Sequence, residues 1–238
     1  MTVKVDLIQE QKQKAALEAV KHVKDDFVVG LGSGSTAAFA IEAIGERIKH
    51  EKLRVMGIPT SYQAFLLAVE CGIPITTLDE HLQIDLTIDG ADQITPELNL
   101  IKGMGAAMAR EKIVASASKL NITIADDKKK VKLLGENNQA VPIEVLPFAI
   151  SLTKRKIIEA GGKPVLREGK GKLGPVITDN GNAILDSYFG EIAKPAELAV
   201  KVKMIPGVVE TGFFVGLTDI VYLGTPNGVE KIEKLRIK

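Results

Sequence analysis

The chain of 238 residues is long enough for one large domain or two small ones, and its hydrophobic fraction of 45% supplies a sizeable core. Lysine and arginine number 31 against 30 aspartates and glutamates, so no net positive field is present, and neither nucleic acid nor a membrane surface is expected as a partner. Because tryptophan is absent and aromatic residues make up only 4%, the core must be aliphatic, which suits a parallel sheet covered by helices.

The sequence pattern predicts neither a targeting segment nor a metal site. Residues 1–14 lack the apolar segment of a signal peptide, and no stretch reaches the roughly 18 apolar residues of a spanning helix, so we expect a soluble, cytoplasmic protein. Cys71 is the only cysteine and is expected to be a buried, unreactive thiol at a helix end. His22, His50 and His81 show no ligand spacing, so neither a metal site nor a histidine-based triad is expected.

The first half of the chain alternates helices and strands. The predicted elements, in chain order, are a helix over 7–23, a strand over 27–31, a helix capped by Ser35 or Thr36, a strand over 53–58, a helix over 62–69, a strand over 84–88, a helix over 105–118 and a strand over 122–125. This succession is typical of right-handed βαβ units and predicts a Rossmann-like parallel sheet.

The pattern changes after the basic run at 128–130. Short strands are predicted at 141–145, 163–166, 175–177 and 183–185, and helices at 151–160 and 196–202. This order predicts a smaller α+β domain over 131–206, inserted into a Rossmann-like α/β domain made of 1–130 and 207–238. Pro206-Gly207 is expected to return the chain to the parallel sheet, with 220–223 as a late strand.

A glycine-rich turn, Gly30 to Thr36, joins the first strand to the next helix. Backbone N–H groups and the helix dipole at such a turn favour an anion, and Ser33, Ser35 and Thr36 add hydroxyl donors. The glycine spacing does not match a dinucleotide fingerprint or a Walker A loop, so a small phosphate ester is the favoured ligand. A tight turn with a Ser/Thr cap is the alternative interpretation.

Two carboxylates, Asp89 and Asp92, flank Gly90-Ala91 at the carboxyl end of a predicted strand. Ligands of open α/β sheets bind at that edge, so these carboxylates are candidates for one site. The residues equally fit a solvated Asx-turn, and both interpretations stay open at this point.

A second glycine loop, Lys102 to Gly105, precedes an alanine-rich helix that contains Glu111. A carboxylate on the buried side of this helix suits a general base, whereas an exposed one is only a solvated helix residue. In the run 128–130 a single lysine suits a phosphate clamp, although such runs usually form a solvated face. Arg167 and Lys172 are further candidates for facing a ligand.

Taken together, these segments resemble the ribose-5-phosphate isomerase A family. The resemblance rests on motifs in the family's order over almost the whole chain: Gly32 to Thr36, Asp89 to Asp92, Lys102 to Gly105, Arg110 to Lys112, Ala125-Asp126 before Lys129, Val141 to Val145, Gly174-Pro175 before Thr178 to Asn182, and Pro206 to Glu210.

The resemblance implies an aldose–ketose isomerase of the non-oxidative pentose phosphate pathway that interconverts ribose 5-phosphate and ribulose 5-phosphate through an enediolate, without metal or other cofactor. It implies Glu111 as the general base, Asp89 and Lys102 in ring opening and oxyanion stabilisation, and Asp92 at the same pocket. It further implies a ferredoxin-like small domain with a lid or oligomerisation role, and a homodimer or homotetramer. The residues implied in substrate binding are Ser33, Gly34, Ser35, Thr36, Gly90, Ala91, Gly103, Met104, Gly105 and Lys129.

Some positions depart from the family pattern. Met104 replaces a third glycine, Gln93 replaces a frequent acidic residue, Lys128 replaces a frequent serine, and Thr211 replaces a frequent histidine. Two other functions share this architecture: a non-catalytic sugar-phosphate sensor, and a hexosamine-phosphate deaminase or CoA transferase. Retention of both Glu111 and Lys102, and the lack of room for a helix-turn-helix domain, argue against the sensor.

Overall fold

A computed structural model of the chain describes residues 2–171 and 173–234, so Lys172 lies outside the described residues. The elements, in chain order, are α1 (Thr2–Val20), β1 (Phe27–Leu31), α2 (Ser35–Glu51), β2 (Val55–Pro59), α3 (Tyr62–Glu70), β3 (Leu86–Gly90), β4 (Gln93–Ile94), β5 (Leu100–Ile101), α4 (Met108–Ser116), β6 (Asn121–Asp126), β7 (Val141–Val145), α5 (Ile150–Glu159), β8 (Lys163–Leu166), β9 (Ala183–Tyr188), α6 (Pro195–Lys203), β10 (Val208–Thr211), β11 (Phe213–Phe214), β12 (Ile220–Thr225) and β13 (Gly228–Glu233). None of the described helices is long and apolar enough to cross a membrane.

The chain forms two compact units. The first contains the described residues up to Ala91, then Arg110–Lys129 and the described residues from Leu217 onward, whereas the second contains Asp92–Ala109 and Lys130–Gly216. The predicted domain boundary assigns 92–109 and 207–216 differently, to the Rossmann-like domain. These segments group with the second unit because β11 pairs with β5, and because the Lys102 N–H donates to Gly212 O at 2.9 Å.

The first unit is built on a six-stranded sheet in the order β13-β12-β6-β3-β1-β2. Every pairing in it is parallel except that of β12 with β13. Helices α2, α3 and α4 connect the parallel strands from β1 to β6, whereas most of the second unit lies between β6 and β12. Strands β1 and β3 are almost continuously buried, as expected for a sheet covered by helices. The predicted α/β class with a mostly parallel sheet is therefore confirmed.

Carboxylates satisfy strand N–H groups at the amino edge of this sheet. Asp85 Oδ2, just before β3, accepts the Val28 N–H at 3.0 Å, and Lys119 Nζ lies 2.7 Å from its Oδ1. Asp219, just before β12, accepts the Asn121 N–H at 2.9 Å in the same way. These contacts fix the starts of neighbouring strands, since a buried N–H without an acceptor is costly.

The second unit contains two antiparallel sheets. A four-stranded sheet has the order β10-β7-β9-β8, and a three-stranded sheet has the order β11-β5-β4. The side chains of Ile143, Val145 and Leu185 in the larger sheet form one apolar cluster with Ile157 of α5 and Val202 of α6. Both helices therefore cover the same face of that sheet.

Several local expectations were wrong. Residues 175–177 form only isolated bridges, to Glu168 and Ala183, and Val208–Thr211 after Pro206-Gly207 pairs with β7 rather than with the parallel sheet. Helix α2 has Gly34 as its N-cap, without a side-chain cap, so neither Ser35 nor Thr36 is the cap.

Cys71 is partly exposed rather than buried, because it lies at the C-cap of α3, where the chain turns at the surface. Burial of the part that is covered, together with the nearby charges of Glu42, Glu70 and Glu46, raises the pKa of its thiol. A raised pKa keeps the thiol protonated. The cysteine is therefore still expected to be unreactive, because of its raised pKa and not because of complete burial.

Replacing Asp85 with alanine is expected to lower the free energy of unfolding by about 1–3 kcal/mol near neutral pH, because the buried Val28 N–H loses its acceptor. Burial alone raises the pKa of the Asp85 carboxyl, but hydrogen bonds from Lys119 and Val28 and the charge of Lys119 bring that pKa below its ordinary value. The stabilisation by the ionised carboxylate is therefore fully present above the ordinary aspartate pKa of about 3.9 and is lost as pH falls through the lower, folded-state pKa.

Urea unfolding of wild type and Asp85→Ala at about pH 7 and about pH 3 checks this, and the difference should shrink at the lower pH. The exposed Asp79 on the same unit provides the control Asp79→Ala. Equal destabilisation by both variants would remove Asp85 from this role.

Candidate active site

The loop after β1 carries polar groups at the carboxyl edge of the parallel sheet. Ser33 Oγ lies 2.8 Å from Thr60 Oγ1 and 2.6 Å from Ser61 Oγ, two residues that directly follow β2. Gly34 has a φ of +91°, in the region that favours glycine, and it begins helix α2. The first N–H groups of a helix and the hydroxyls around them make this edge suited to an anion.

Asp89 joins this loop to strand β3. Its Oδ1 accepts the N–H of Ser33 at 3.0 Å and the N–H of Gly90 at 2.7 Å, and the side chain is 7% exposed. The close approach requires glycine at position 32, because a Cβ there would lie 2.2 Å from Asp89 Oδ1 and 2.6 Å from Asp89 Cα. Asp89 is therefore held in one place by backbone groups of two neighbouring strand ends.

Two further polar side chains reach the same loop. Gln63 Oε1, on α3, accepts the Gly34 N–H at 2.7 Å. Lys12 Nζ, on α1, donates to Ser35 Oγ at 3.0 Å. The lysine brings a positive charge to the start of α2, where the helix dipole already favours an anion.

Glu111 lies on helix α4, which runs from the carboxyl edge of the sheet toward the amino edge. Beyond the helix's C-terminal end, the Ala117 carbonyl accepts the Ile84 N–H at 2.9 Å, just before β3 begins. One turn earlier, Val114 packs so close to the sheet that a Cβ on Gly30 would lie 2.6 Å from its Cγ1. Glu111 is one turn earlier again, in the first turn of α4, and is only 5% exposed. Its carboxylate is thus buried at the functional edge of the sheet.

Lys129 follows the carboxyl end of β6, in a single 3₁₀ turn over Asp127–Lys129. It is half-buried, whereas Lys128 is exposed and its N–H donates to Asp126 Oδ1 at 3.2 Å. Because β6 pairs in parallel with β3, Lys129 belongs to the same edge as Asp89.

In the second unit, Asp92 holds the loop after β5. Asp92 Oδ2 accepts the Met104 N–H at 3.0 Å, and the Asp92 N–H donates to Ile101 O at 2.8 Å. Lys102 is only 4% exposed, and its Nζ lies 5.2 Å from the centroid of the Phe214 ring. An aromatic face attracts a cation, so this contact favours the buried ammonium group in its charged form.

The predicted residues thus fall into two groups, one on each unit. The first unit carries Ser33 to Thr36, Asp89, Gly90, Ala91, Glu111 and Lys129, and the second carries Asp92 and Lys102 to Gly105. The sequence interpretation missed Thr60, Ser61 and Gln63. The sequence did contain a signal for these three residues. They follow β2, which is parallel and adjacent to β1, so they lie at the same edge of the sheet as the loop after β1.

Among the described residues, no group of three or more histidine, cysteine, aspartate or glutamate side chains is arranged to hold a metal ion. Arg167, a further candidate from the sequence, does not project into open space. It contacts Asp186 and the carbonyls of Gly103 and Met104.

Comparison with known proteins gives one consistent family. The family model for ribose 5-phosphate isomerase A (phosphoriboisomerase A) matches residues 56–228. A relative from Pyrococcus abyssi named ribose-5-phosphate isomerase A is 46% identical over 228 residues, which cover 95% of this chain and 99% of the relative.

Solved structures agree with that match. A D-ribose-5-phosphate isomerase in complex with phospho-erythronic acid is 45% identical with a TM-score of 0.93, over 95% of this chain and 99% of that one. Ribose 5-phosphate isomerase A from Methanocaldococcus jannaschii is 46% identical with a TM-score of 0.91, over 94% of this chain and 99% of the other.

We expect Gly32→Ala to lower the melting temperature by roughly 3–10 °C, because overpacking costs about 1–3 kcal/mol and each kcal/mol shifts a chain of this size by a few degrees. The matched control is Gly90→Ala, since the nearest atoms to a Cβ there are 3.9 Å away. Thermal unfolding followed by circular dichroism compares the two. Similar melting temperatures for both variants would show that Asp89 does not need the space at position 32.

Proposed function

Since the chain belongs to the ribose 5-phosphate isomerase A family, we propose how its own residues divide the work of interconverting D-ribose 5-phosphate and D-ribulose 5-phosphate. The chain is an aldose–ketose isomerase of the non-oxidative pentose phosphate pathway, as the family match and the near-complete coverage by relatives indicate. One observation supports this division of roles: the loop suited to an anion, Asp89 and the buried Glu111 all lie at one edge of the parallel sheet.

The substrate phosphate binds the loop from Ser33 to Thr36. Support comes from the helix N-terminus at Gly34, from the clustered hydroxyls and from the Lys12 ammonium beside Ser35. Lys129, which follows β6 at the same edge of the sheet, adds a second positive charge there. Binding the phosphate away from the reacting carbons supplies energy that orients C1 and C2.

Glu111 acts as the general base. Its carboxylate takes the proton from C2 of the open-chain aldose, and the C1 carbonyl oxygen becomes the enediolate oxygen. The same carboxyl then returns a proton to C1, while the hydroxyl proton on O2 is transferred to O1, which leaves a ketone at C2. The burial of Glu111 supports this role, because a base shielded from water keeps the proton for transfer.

Asp89 and Lys102 assist at the oxygens. Asp89, held by two N–H groups, exchanges the proton that opens and closes the furanose ring, and Asp92, which accepts the Met104 N–H, has a supporting catalytic role. Lys102 supplies the positive charge that stabilises the enediolate oxygen. Gly90 and Ala91, together with Gly103 to Gly105, contribute backbone contacts to the sugar. Only protons move between substrate atoms in this scheme, so it requires no cofactor.

The second unit serves as the smaller domain of the family. Three strands of its four-stranded antiparallel sheet and both helices on one face lie within 131–206, and β10 directly follows. This arrangement supports a ferredoxin-like fold for 131–206 together with β10, with a lid or oligomerisation role. We also assign the enzyme to the cytoplasm, because charged phosphate esters do not cross a membrane unaided, and cell fractionation tests this.

Glu111→Gln is expected to lower kcat by at least about a hundredfold while the substrate still binds, because the amide keeps the shape but cannot accept the C2 proton. Ketose formation from ribose 5-phosphate measures kcat, and NMR in D2O measures deuterium entry at C1. The control is Glu42→Gln, an exposed glutamate on helix α2. Wild-type turnover in Glu111→Gln would remove Glu111 from the role of base.

We expect the enzyme to be a homodimer or homotetramer. Large apolar side chains are exposed on each unit: Tyr62, Leu66 and Val69 share one face of α3 in the first, and Phe148 is fully exposed in the second. Sedimentation velocity should give a mass of twice or four times the 25.5 kDa of one chain. A single species of one-chain mass at tens of micromolar protein would contradict this.

A further inference from the structure

Arg167 makes an unusual set of contacts within the second unit. Its Nε donates to Asp186 Oδ2 at 2.8 Å, and its Nη2 pairs with Asp186 Oδ1. Its Nη1 donates to two main-chain carbonyls, Gly103 O at 3.1 Å and Met104 O at 2.9 Å. The Arg167 and Asp186 side chains are only 12% and 15% exposed. One guanidinium group thus connects the end of β8, strand β9 and the loop that follows Lys102.

The loop needs such support because of its backbone conformation. Gly103 has a φ of +104°, and Ala106, which has a side chain, has a φ of +62°. A residue other than glycine in this region is strained and persists only where its surroundings fix it. Arg167 holds this loop from one side, through two carbonyls, and Asp92 holds it from the other, through the Met104 N–H.

The two hydrogen bonds from Arg167 determine which way the main-chain groups of the loop point. In a trans peptide the N–H points opposite to the C=O of the same peptide unit. Because the carbonyls of Gly103 and Met104 both turn to Arg167, the N–H groups of Met104 and Gly105 turn away from it. The side of the loop that faces Asp92 therefore presents N–H groups. The carbonyl oxygens, which repel anions, face the guanidinium on the other side.

We propose that Arg167, neutralised by Asp186, is a positioning residue of the isomerase: it fixes the loop 103–106 and through it the Lys102 ammonium. This inference rests on the proposed function, in which Lys102 stabilises the enediolate oxygen. Arg167 itself touches neither the substrate nor the reacting atoms. Only a planar group with several donors can bind a carboxylate and two carbonyls at once, so lysine is a poor substitute.

The test is a set of single and double variants assayed for kcat and KM with ribose 5-phosphate. We expect Arg167→Met to lower kcat on the order of a hundredfold, since a misplacement of about 1 Å has an effect of that size on the chemical step. KM should change less than about threefold, because most of the substrate's binding energy is assigned to its phosphate at the loop from Ser33 to Thr36 rather than to the loop 103–106. Arg167→Lys should recover less than about a tenth of the wild-type kcat. The matched control is Arg155→Met, an exposed arginine on α5 of the same unit, which should retain wild-type constants.

The decisive comparison uses Lys102→Met. If Arg167 acts through Lys102, the double variant Arg167→Met, Lys102→Met is no slower than Lys102→Met alone, within about twofold to threefold. A double variant slowed by the product of the two single effects overturns the inference. So does wild-type kcat in a folded Arg167→Met.

The outcomes also separate this inference from the proposed function. If Lys102→Met retains wild-type kcat, the role proposed for Lys102 fails, and the inference about Arg167 fails with it. If Lys102→Met is slow and Arg167→Met is not, only the inference fails. Should Arg167→Met not fold by circular dichroism, Arg167→Lys takes its place in the cycle, because it keeps the charge opposite Asp186.

Discussion

The two hydrogen bonds accepted by Asp89 Oδ1 hold together the carboxyl edge of the parallel sheet, where the candidate site lies. They connect the loop after β1 to the end of β3, so the start of helix α2 is fixed relative to a buried carboxylate. The connection requires glycine at position 32, because a Cβ atom there would lie only 2.2 Å from Asp89 Oδ1. A phosphate bound at the loop is consequently oriented relative to Asp89 before any reaction begins.

Carboxylates at the two edges of the same sheet have different tasks. At the amino edge, Asp85 and Asp219 accept strand N–H groups and set where strands begin, which is a structural task. At the carboxyl edge, Asp89 and Glu111 are also buried, but they lie beside a loop that is built for an anion. This separation is general for parallel sheets, because the carboxyl ends of the strands and the N-termini of the helices that follow them lie at the same edge. Carboxylates that set where strands begin and carboxylates that lie at the candidate site are therefore found at opposite edges of the sheet.

Sequence reasoning found β1, β7 and β8 with their observed ends, because each is short and follows a pair of turn-forming residues, Asp25-Asp26, Asn137-Asn138 or Gly161-Gly162. It also found the residues of both glycine loops, since glycine and hydroxyl spacing is visible along the chain. It did not find β4, β5 or β11, because two-residue strands carry no period. The sequence places Gln63 after the strand next to β1, but it does not show the hydrogen bond that Gln63 makes with the Gly34 N–H. The contact of Arg167 with the Lys102 loop was not predictable, because it joins residues 63 or more positions apart that follow strands of two different sheets.

The departure at Met104 shows which part of the second loop matters. The backbone at position 104 does not need a glycine for a positive φ, because the positive φ values of this loop fall on Gly103 and Ala106. The Met104 side chain is half exposed, and its N–H and carbonyl are engaged by Asp92 and Arg167. The directions of the main-chain groups in this loop are therefore set by a carboxylate and a guanidinium. Both contacts form with a methionine at position 104.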